Sequence, residues 1–154
     1  MFNRFSTKFC SLIVLGAVLV GAVPAHISAR QVGDLQCNID RVKVTGSVFQ
    51  ALQTTRSLTQ QLQNDAAGTA LLTTINQGLL GAEDGIADLV TALFAGQTAP
   101  ESAVDQVGGG LTLAFDAASN ITSADPAVTD SVNKLKNELL QASFAGDNVL
   151  DECH

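Results

Sequence analysis

Few side chains in this chain of 154 residues could do covalent or metal chemistry. There are three cysteines, Cys10, Cys37 and Cys153, and two histidines, His26 and His154. A hydrolytic triad needs a nucleophile beside a base such as histidine, held by a third group, and no such arrangement is suggested. No phosphate-binding loop, dinucleotide fingerprint, His-Glu-x-x-His helix or paired-cysteine zinc pattern occurs. The densest acidic group is Glu83-Asp84 with Asp88. Asp84 and Asp88 share a helical face, which reads as solvated surface. The alternating acids and central glycine of a calcium loop are missing. The acids from Asp147 to Glu152 read as a surface tail. The expectation is a protein that is not an enzyme and takes no cofactor and no metal.

Three kinds of chemistry are left. The first is a disulfide, which depends on the compartment. Met1 to Phe9 carries Arg4 and Lys8 and no acid, Leu12 to Val23 is apolar but for glycines, and Val23-Pro24-Ala25 and Ile27-Ser28-Ala29 are small-residue exits. Basic start, apolar middle and small exit are the parts of a secretory signal peptide, residues 1–29, with cleavage after Ala25 or Ala29. The apolar run is about a dozen residues, too short to span ~30 Å of hydrocarbon, so no integral membrane span is expected. Cys10 leaves with the signal, and the isolated pair Cys37 and Cys153 reads as one disulfide of an oxidising compartment. It would close a loop of over a hundred residues, worth up to ~4.7 kcal/mol in the chain-entropy view. A metal site is the rival reading, but nothing supplies its other ligands.

The second kind is glycosylation, at the sequon Asn120-Ile121-Thr122 in a loop between helices. The third is apolar binding. The mature residues 30–154 hold six bases against fifteen acids, a net charge of −9, with four phenylalanines and no Trp or Tyr. Such a chain is repelled by nucleic acid phosphates and offers no stacking aromatics, so nucleic acid is excluded as a partner.

No segment alternates as a half-buried strand would; apolar residues recur every three or four positions. A first helix is expected from about Asp34, its N-cap, to Asn64, with Leu35, Ile39, Val42, Gly46, Phe49 and Leu52 inward, Leu58 and Leu62 continuing that face after a drift, and a kink near Gly46 or Thr54-Thr55. A second spans Ala66 to Phe94. Leu72, Ile75, Leu79, Ala82, Ile86, Leu89 and Leu93 are spaced 3-4-3-4-3-4, the seam of a helix packed nearly parallel or antiparallel to others. Gly96 ends it. Thr98-Ala99-Pro100-Glu101 opens a third helix as a capping box, with Val104, Val107, Leu111, Ala114, Phe115 and Ala118 along its stripe. Gly108-Gly109-Gly110 costs that helix roughly 3 kcal/mol against alanines. Either the helix breaks there as a hinge or ligand-meeting backbone, or a close neighbour keeps it. Asp125-Pro126 opens a fourth helix to about Ala145, with Val128, Val132, Leu135, Leu139 and Ala142 inward and Gly146 as its stop.

Four helices with short links predict an all-α, antiparallel up-and-down four-helix bundle. An even helix count returns the chain end to its start, where Cys37 and Cys153 meet within the 4.4–6.8 Å Cα separation a disulfide needs. The apolar side chains that could face a ligand are Leu72, Ile75, Leu79, Ile86, Leu89, Leu93, Val107, Leu111, Phe115, Val132, Leu135 and Leu139. A solid core without a cavity is the expectation; a lipid chain held between the helices is the alternative.

The boundary Ala29-Arg30-Gln31 and the Ala/Leu/Thr/Asp-rich helical mature part resemble small secreted fungal proteins. So do Gln36-Cys37-Asn38-Ile39-Asp40-Arg41, Thr98-Ala99-Pro100 and Asp125-Pro126-Ala127-Val128-Thr129. In character the mature chain is similar to the hydrophobic surface-binding protein family, which includes cell-wall galactomannoproteins; the Cys37/Cys153 pair departs from it. The resemblance implies a helical secreted glycoprotein, associated with the cell wall, that binds lipids or hydrophobic surfaces, and it transfers no site residue. The leading functional expectation is a secreted non-enzymatic binding protein whose apolar helical faces engage a lipid or hydrophobic surface. The alternative is a structural or interaction protein of the cell surface or host interface.

Overall fold

A computed structural model describes residues 35–153. The signal peptide, Cys10, His26, the Asp34 cap and His154 lie outside the described residues. Four helices follow one another: α1 (Leu35–Gln61), α2 (Ala66–Phe94), α3 (Glu101–Ser119) and α4 (Pro126–Glu152), with no strand among the described residues. They form an all-α four-helix bundle closed by the Cys37–Cys153 disulfide, whose Cα atoms are 5.4 Å apart. No described helix is long and apolar enough to cross a membrane.

Local signals set most of the boundaries. Asp65 caps α2 by accepting from Ala67 N at 3.0 Å, and Asp125 caps α4 by accepting from Ala127 N at 2.9 Å. Gly96, at φ +65°, ends α2 in a Schellman motif: Gly96 N donates to Leu93 O and Gln97 N to Ala92 O. The expected capping box at Thr98 does not form. Pro100 itself occupies the N-cap position with no side-chain bond, and its carbonyl accepts from Ala103 N and Val104 N.

Two expectations need correction, for one reason. The fourth helix does not stop at Gly146 but runs on to Glu152. The first half of the first helix turns a different face inward: Cys37, Asp40, Val44, Val48 and Ala51 are buried, while Leu35 and Val42 are 75% and 72% exposed and Ile39 and Phe49 partly so; Leu52, Leu58 and Leu62 are buried as expected. The disulfide explains both. It draws Cys37 inward, which sets the rotation of α1, and it gives the last turns of α4 a partner at their end. In α1 apolar residues lie all round the helix, so periodicity could not choose the face. Helix α1 is one continuous helix through Gly46 and Thr54-Thr55; Thr55 Oγ1 donates to Ala51 O at 2.7 Å.

The helices pack as two pairs, α2 with α3 and α1 with α4, and the pairs touch each other less. Small residues cement the first pair. A Cβ on Gly78 would lie 2.5 Å from Gly110 O and 3.0 Å from Ala114 N; one on Gly85 would lie 2.8 Å from Ala103 O. A Cβ on Gly110 would collide in turn with Gly78 O and sit 2.8 Å from Ala82 N. The triple glycine therefore stays helical because a neighbour's backbone approaches at Gly110. Gly108 and Gly109 face open space. Alanine at Gly78 or Gly110 should destabilise the fold by about 1–3 kcal/mol through overpacking. Alanine at Gly109 should raise stability by up to ~1 kcal/mol through helix propensity. Urea unfolding of the three variants measures both signs.

Candidate functional site

The seam of α2 changes character half-way along. Leu72, Ile75, Leu79 and Ala82 are at most 2% exposed, in one core with Leu58, Leu111, Ala114, Leu135 and Leu139. Ile86, Leu89 and Leu93 continue the same 3-4 spacing but are only half-buried. Beyond Ala82 the two helix pairs part, and the seam faces a cleft of about 680 Å³ instead of a partner helix. A solid core therefore exists only in one half of the bundle. The volume falls within the range of small-molecule sites, about 300–1,000 Å³.

All four helices line the cleft. Val44 of α1, and Val107 and Leu111 of α3, are its buried floor. Ile86, Leu89, Val90 and Leu93 of α2, Val104 of α3 and Val149 of α4 form half-buried walls. The link at Gln97, Thr98 and Ala99, with Asp147 and Leu150 of α4, makes an exposed rim, and Cys153 completes the lining. This rim forms a mouth at the disulfide end, and the exposed Gly108 and Thr112 of α3 open a flank.

The wall is less polar than its composition suggests. Thr45 Oγ1 donates to Arg41 O at 3.1 Å, Thr112 Oγ1 to Gly108 O at 2.9 Å and Ser143 Oγ to Leu139 O at 3.2 Å. Each hydroxyl proton is spent on its own helix, so these side chains present carbon and an acceptor oxygen. Arg41 is the cation in the lining; partial burial pushes its guanidinium pKa down, and its Nη1 donates to Asn38 Oδ1 at 3.2 Å. Nothing here resembles a nucleophile with its base, and no metal-holding cluster of His, Cys, Asp or Glu occurs among the described residues.

Of the twelve apolar residues singled out from sequence, Ile86, Leu89, Leu93, Val107 and Leu111 line the cleft. Leu72, Ile75, Leu79, Leu135 and Leu139 are sealed in the closed core. Val132 borders a separate hollow of about 140 Å³, and Phe115 packs on the core under Lys136 Nζ, 5.4 Å from its ring centre. Sequence reasoning missed Arg41, Val44 and Thr45, because α1 was rotated wrongly, and Val149 and Leu150 as cleft residues, because α4 was ended early. The Cys37–Cys153 pairing was the signal that could have placed them.

Three carboxylates stand apart from the solvated acids: Asp40, Glu83 and Glu138, the last buried on α4 with Oε1 3.8 Å from Lys134 Nζ and Oε2 without a hydrogen-bond partner. Asp40 is sealed from water at the α1/α4 contact, yet its pKa is held below the usual range. Lys43 Nζ at 2.6 Å and Gln36 Nε2 at 2.8 Å donate to it, and Asn148 of α4 adds a third bond, outweighing the cost of burial. Its cover is a thin polar layer, with Lys43 half-exposed. Glu83, expected on a solvated face, is half-buried with Oε1 lacking a hydrogen-bond partner. Its pKa is raised to about 7, by desolvation first and by Asp84 second, against the pull of Arg56. Asp84 and Asp88 are exposed, as the sequence suggests. Asn120, at the C-cap of α3, is exposed, and its Nδ2 donates to Asp116 O at 2.8 Å.

No protein-family model, no curated protein and no solved structure matches this chain.

Because the folded state holds the Glu83 proton more tightly than the unfolded chain, stability should fall as pH rises from about 4.5 through about 7. Glu83→Gln should therefore melt higher than wild type at about pH 8, by roughly 1 kcal/mol once solvent screening of a half-buried group is counted. The gain should vanish at about pH 4. Thermal melts at the two pH values check it.

Proposed function

We propose that this is an exported, non-enzymatic binding protein that holds the apolar chain of a lipid in the cleft between its two helix pairs. The cleft carries the reading. It is walled by Ile, Leu and Val, the hydroxyls of Thr45, Thr112 and Ser143 are turned to their own helices, and it sits where an unbroken core would otherwise be. At roughly 30 Å³ for a group the size of water or methylene, its volume suits on the order of twenty such groups, which is one long chain. The disulfide and the basic-apolar-small start of the sequence support export. The resemblance to secreted fungal surface-binding proteins and cell-wall galactomannoproteins points the same way.

Displacement of a fluorescent fatty acid from the purified mature protein tests the reading. Saturable binding with one chain per molecule is expected. Leu89→Trp or Ile86→Trp fills the cleft from a wall that is already half-open, so affinity should fall at least tenfold while the melting temperature changes little. Absence of saturable binding by the wild-type protein would refute it.

We also propose that Asn120 carries an N-linked glycan. The residue is exposed at the end of the bundle remote from the mouth, so a glycan there leaves the cleft clear. Enzymatic deglycosylation of secreted material should lower its mass, and Asn120→Gln should abolish that shift.

A further inference from the structure

One acidic side chain interrupts the apolar stripe of α2 at the point where the bundle opens. Leu79, Glu83, Ile86 and Val90 follow one another at the helical spacing 4-3-4 and so share a face. Leu79 is sealed in the closed core, and Ile86 and Val90 are walls of the cleft. Glu83 stands between them, next to Ala82, where the seam ceases to be sealed. Its Oε1 is buried and has no hydrogen-bond partner. A neutral carboxyl group tolerates such a place, whereas a charged one with a buried, unpaired oxygen is strongly disfavoured.

Few charges act on Glu83. Helix α2 packs against α1 and α3. From α1, the exposed Arg56 favours its ionisation, and on its own helix Asp84 opposes it. Arg41 and Lys43, the other cations of α1, bond Asn38 and Asp40 nearer the mouth. The acids of α3, Glu101, Asp105 and Asp116, are all exposed. Desolvation therefore dominates and holds the carboxyl pKa up at about 7.

The connectivity gives this group a contact that can yield. Glycine backbone contacts lock α2 to α3, and the disulfide locks α1 to α4. The two pairs are joined only by the links 62–65 and 120–125, at the end remote from the mouth. The α1/α2 contact is slight beside those within each pair, and Glu83 lies on α2 facing the charge of Arg56 on α1.

We propose that ionisation of Glu83 opens the cleft: the charged carboxylate leaves the apolar stripe for water and Arg56 and parts α2 from α1, while the protonated group lets the two helix pairs close. This rests on the reading of the cleft as the site of an apolar chain, and it supplies the regulation of that site. The step is transfer of one proton from Glu83 to bulk water and needs no other reactant. The open form, with the carboxyl wet, is the more acidic one. Raising the pH from the ordinary carboxyl range toward about 7 therefore favours opening by up to about tenfold per pH unit. A bound chain is held in acidic surroundings and released in neutral ones.

Spin labels test the movement. Val42→Cys on α1 and Asp105→Cys on α3 place one label on each helix pair, at exposed positions beside the cleft residues Arg41 and Val104, and the native cysteines of the mature chain are paired. The separation of the labels should widen by a few ångströms between about pH 5.5 and about pH 8.5, with its midpoint near about 7. Release of a fluorescent fatty alcohol, whose head group does not titrate, should quicken by roughly tenfold or more over the same range. Glu83→Gln should keep the narrow separation and the slow release at both pH values. A wild-type separation that ignores pH, or equal widening in Glu83→Gln, overturns the gate, and saturable alcohol binding in that case leaves the cleft reading standing. A release rate indifferent to pH overturns the gate as well. Widening that the variant lacks, with no alcohol bound at either pH, supports the gate and counts against the lipid reading.

Discussion

At Gly78, Gly85 and Gly110 the backbones of α2 and α3 come so close that no Cβ fits between them. This approach organises the rest of the molecule. It makes one pair of helices into a thin, stiff arm, closed at its tip by the short link through Gly96. The other arm, α1 with α4, is closed at the same end by the disulfide and by the hydrogen bond that Asp40 of α1 makes with Asn148 of α4. The connections between the arms, at 62–65 and 120–125, lie at the opposite end. No covalent link joins arm to arm at the tips.

The cleft follows from that connectivity. Each arm satisfies its own tip, and so the tips have little left to offer one another. Near the arm-to-arm links, Leu58, Ile75, Leu79, Leu135 and Leu139 draw the arms into one core. Toward the tips that attraction is replaced by open space lined with the same kinds of side chain. The price of the opening is apolar wall left half-wet, at about 25 cal/mol per Å². Any apolar group that covered Ile86, Leu89, Val90 and Leu93 would return that energy.

Polarity is handled by local bonding. The cleft hydroxyls of Thr45, Thr112 and Ser143 are turned onto their own helices, and Asp40 is satisfied inside its arm. Apart from Glu83 and Glu138, most of the other described acids lie exposed on the outside.

What the sequence by itself determined was helix number, most boundaries and the disulfide. The α2 seam, the Asp125-Pro126 start and the Gly96 stop are local signals that need no tertiary partner, and an even helix count brings Cys37 to Cys153. Five of the cleft residues, Ile86, Leu89, Leu93, Val107 and Leu111, were legible as apolar positions but not as cleft. The 3-4 spacing is the same on both sides of Ala82, because periodicity reports which face turns inward and not whether anything is there to meet it. Only the tertiary structure decided the rotation of α1, the length of α4 and the parting of the arms. Each depends on contacts between residues far apart in the chain: sulfur with sulfur across 116 positions, and glycine backbone against glycine backbone. No local pattern encodes such contacts.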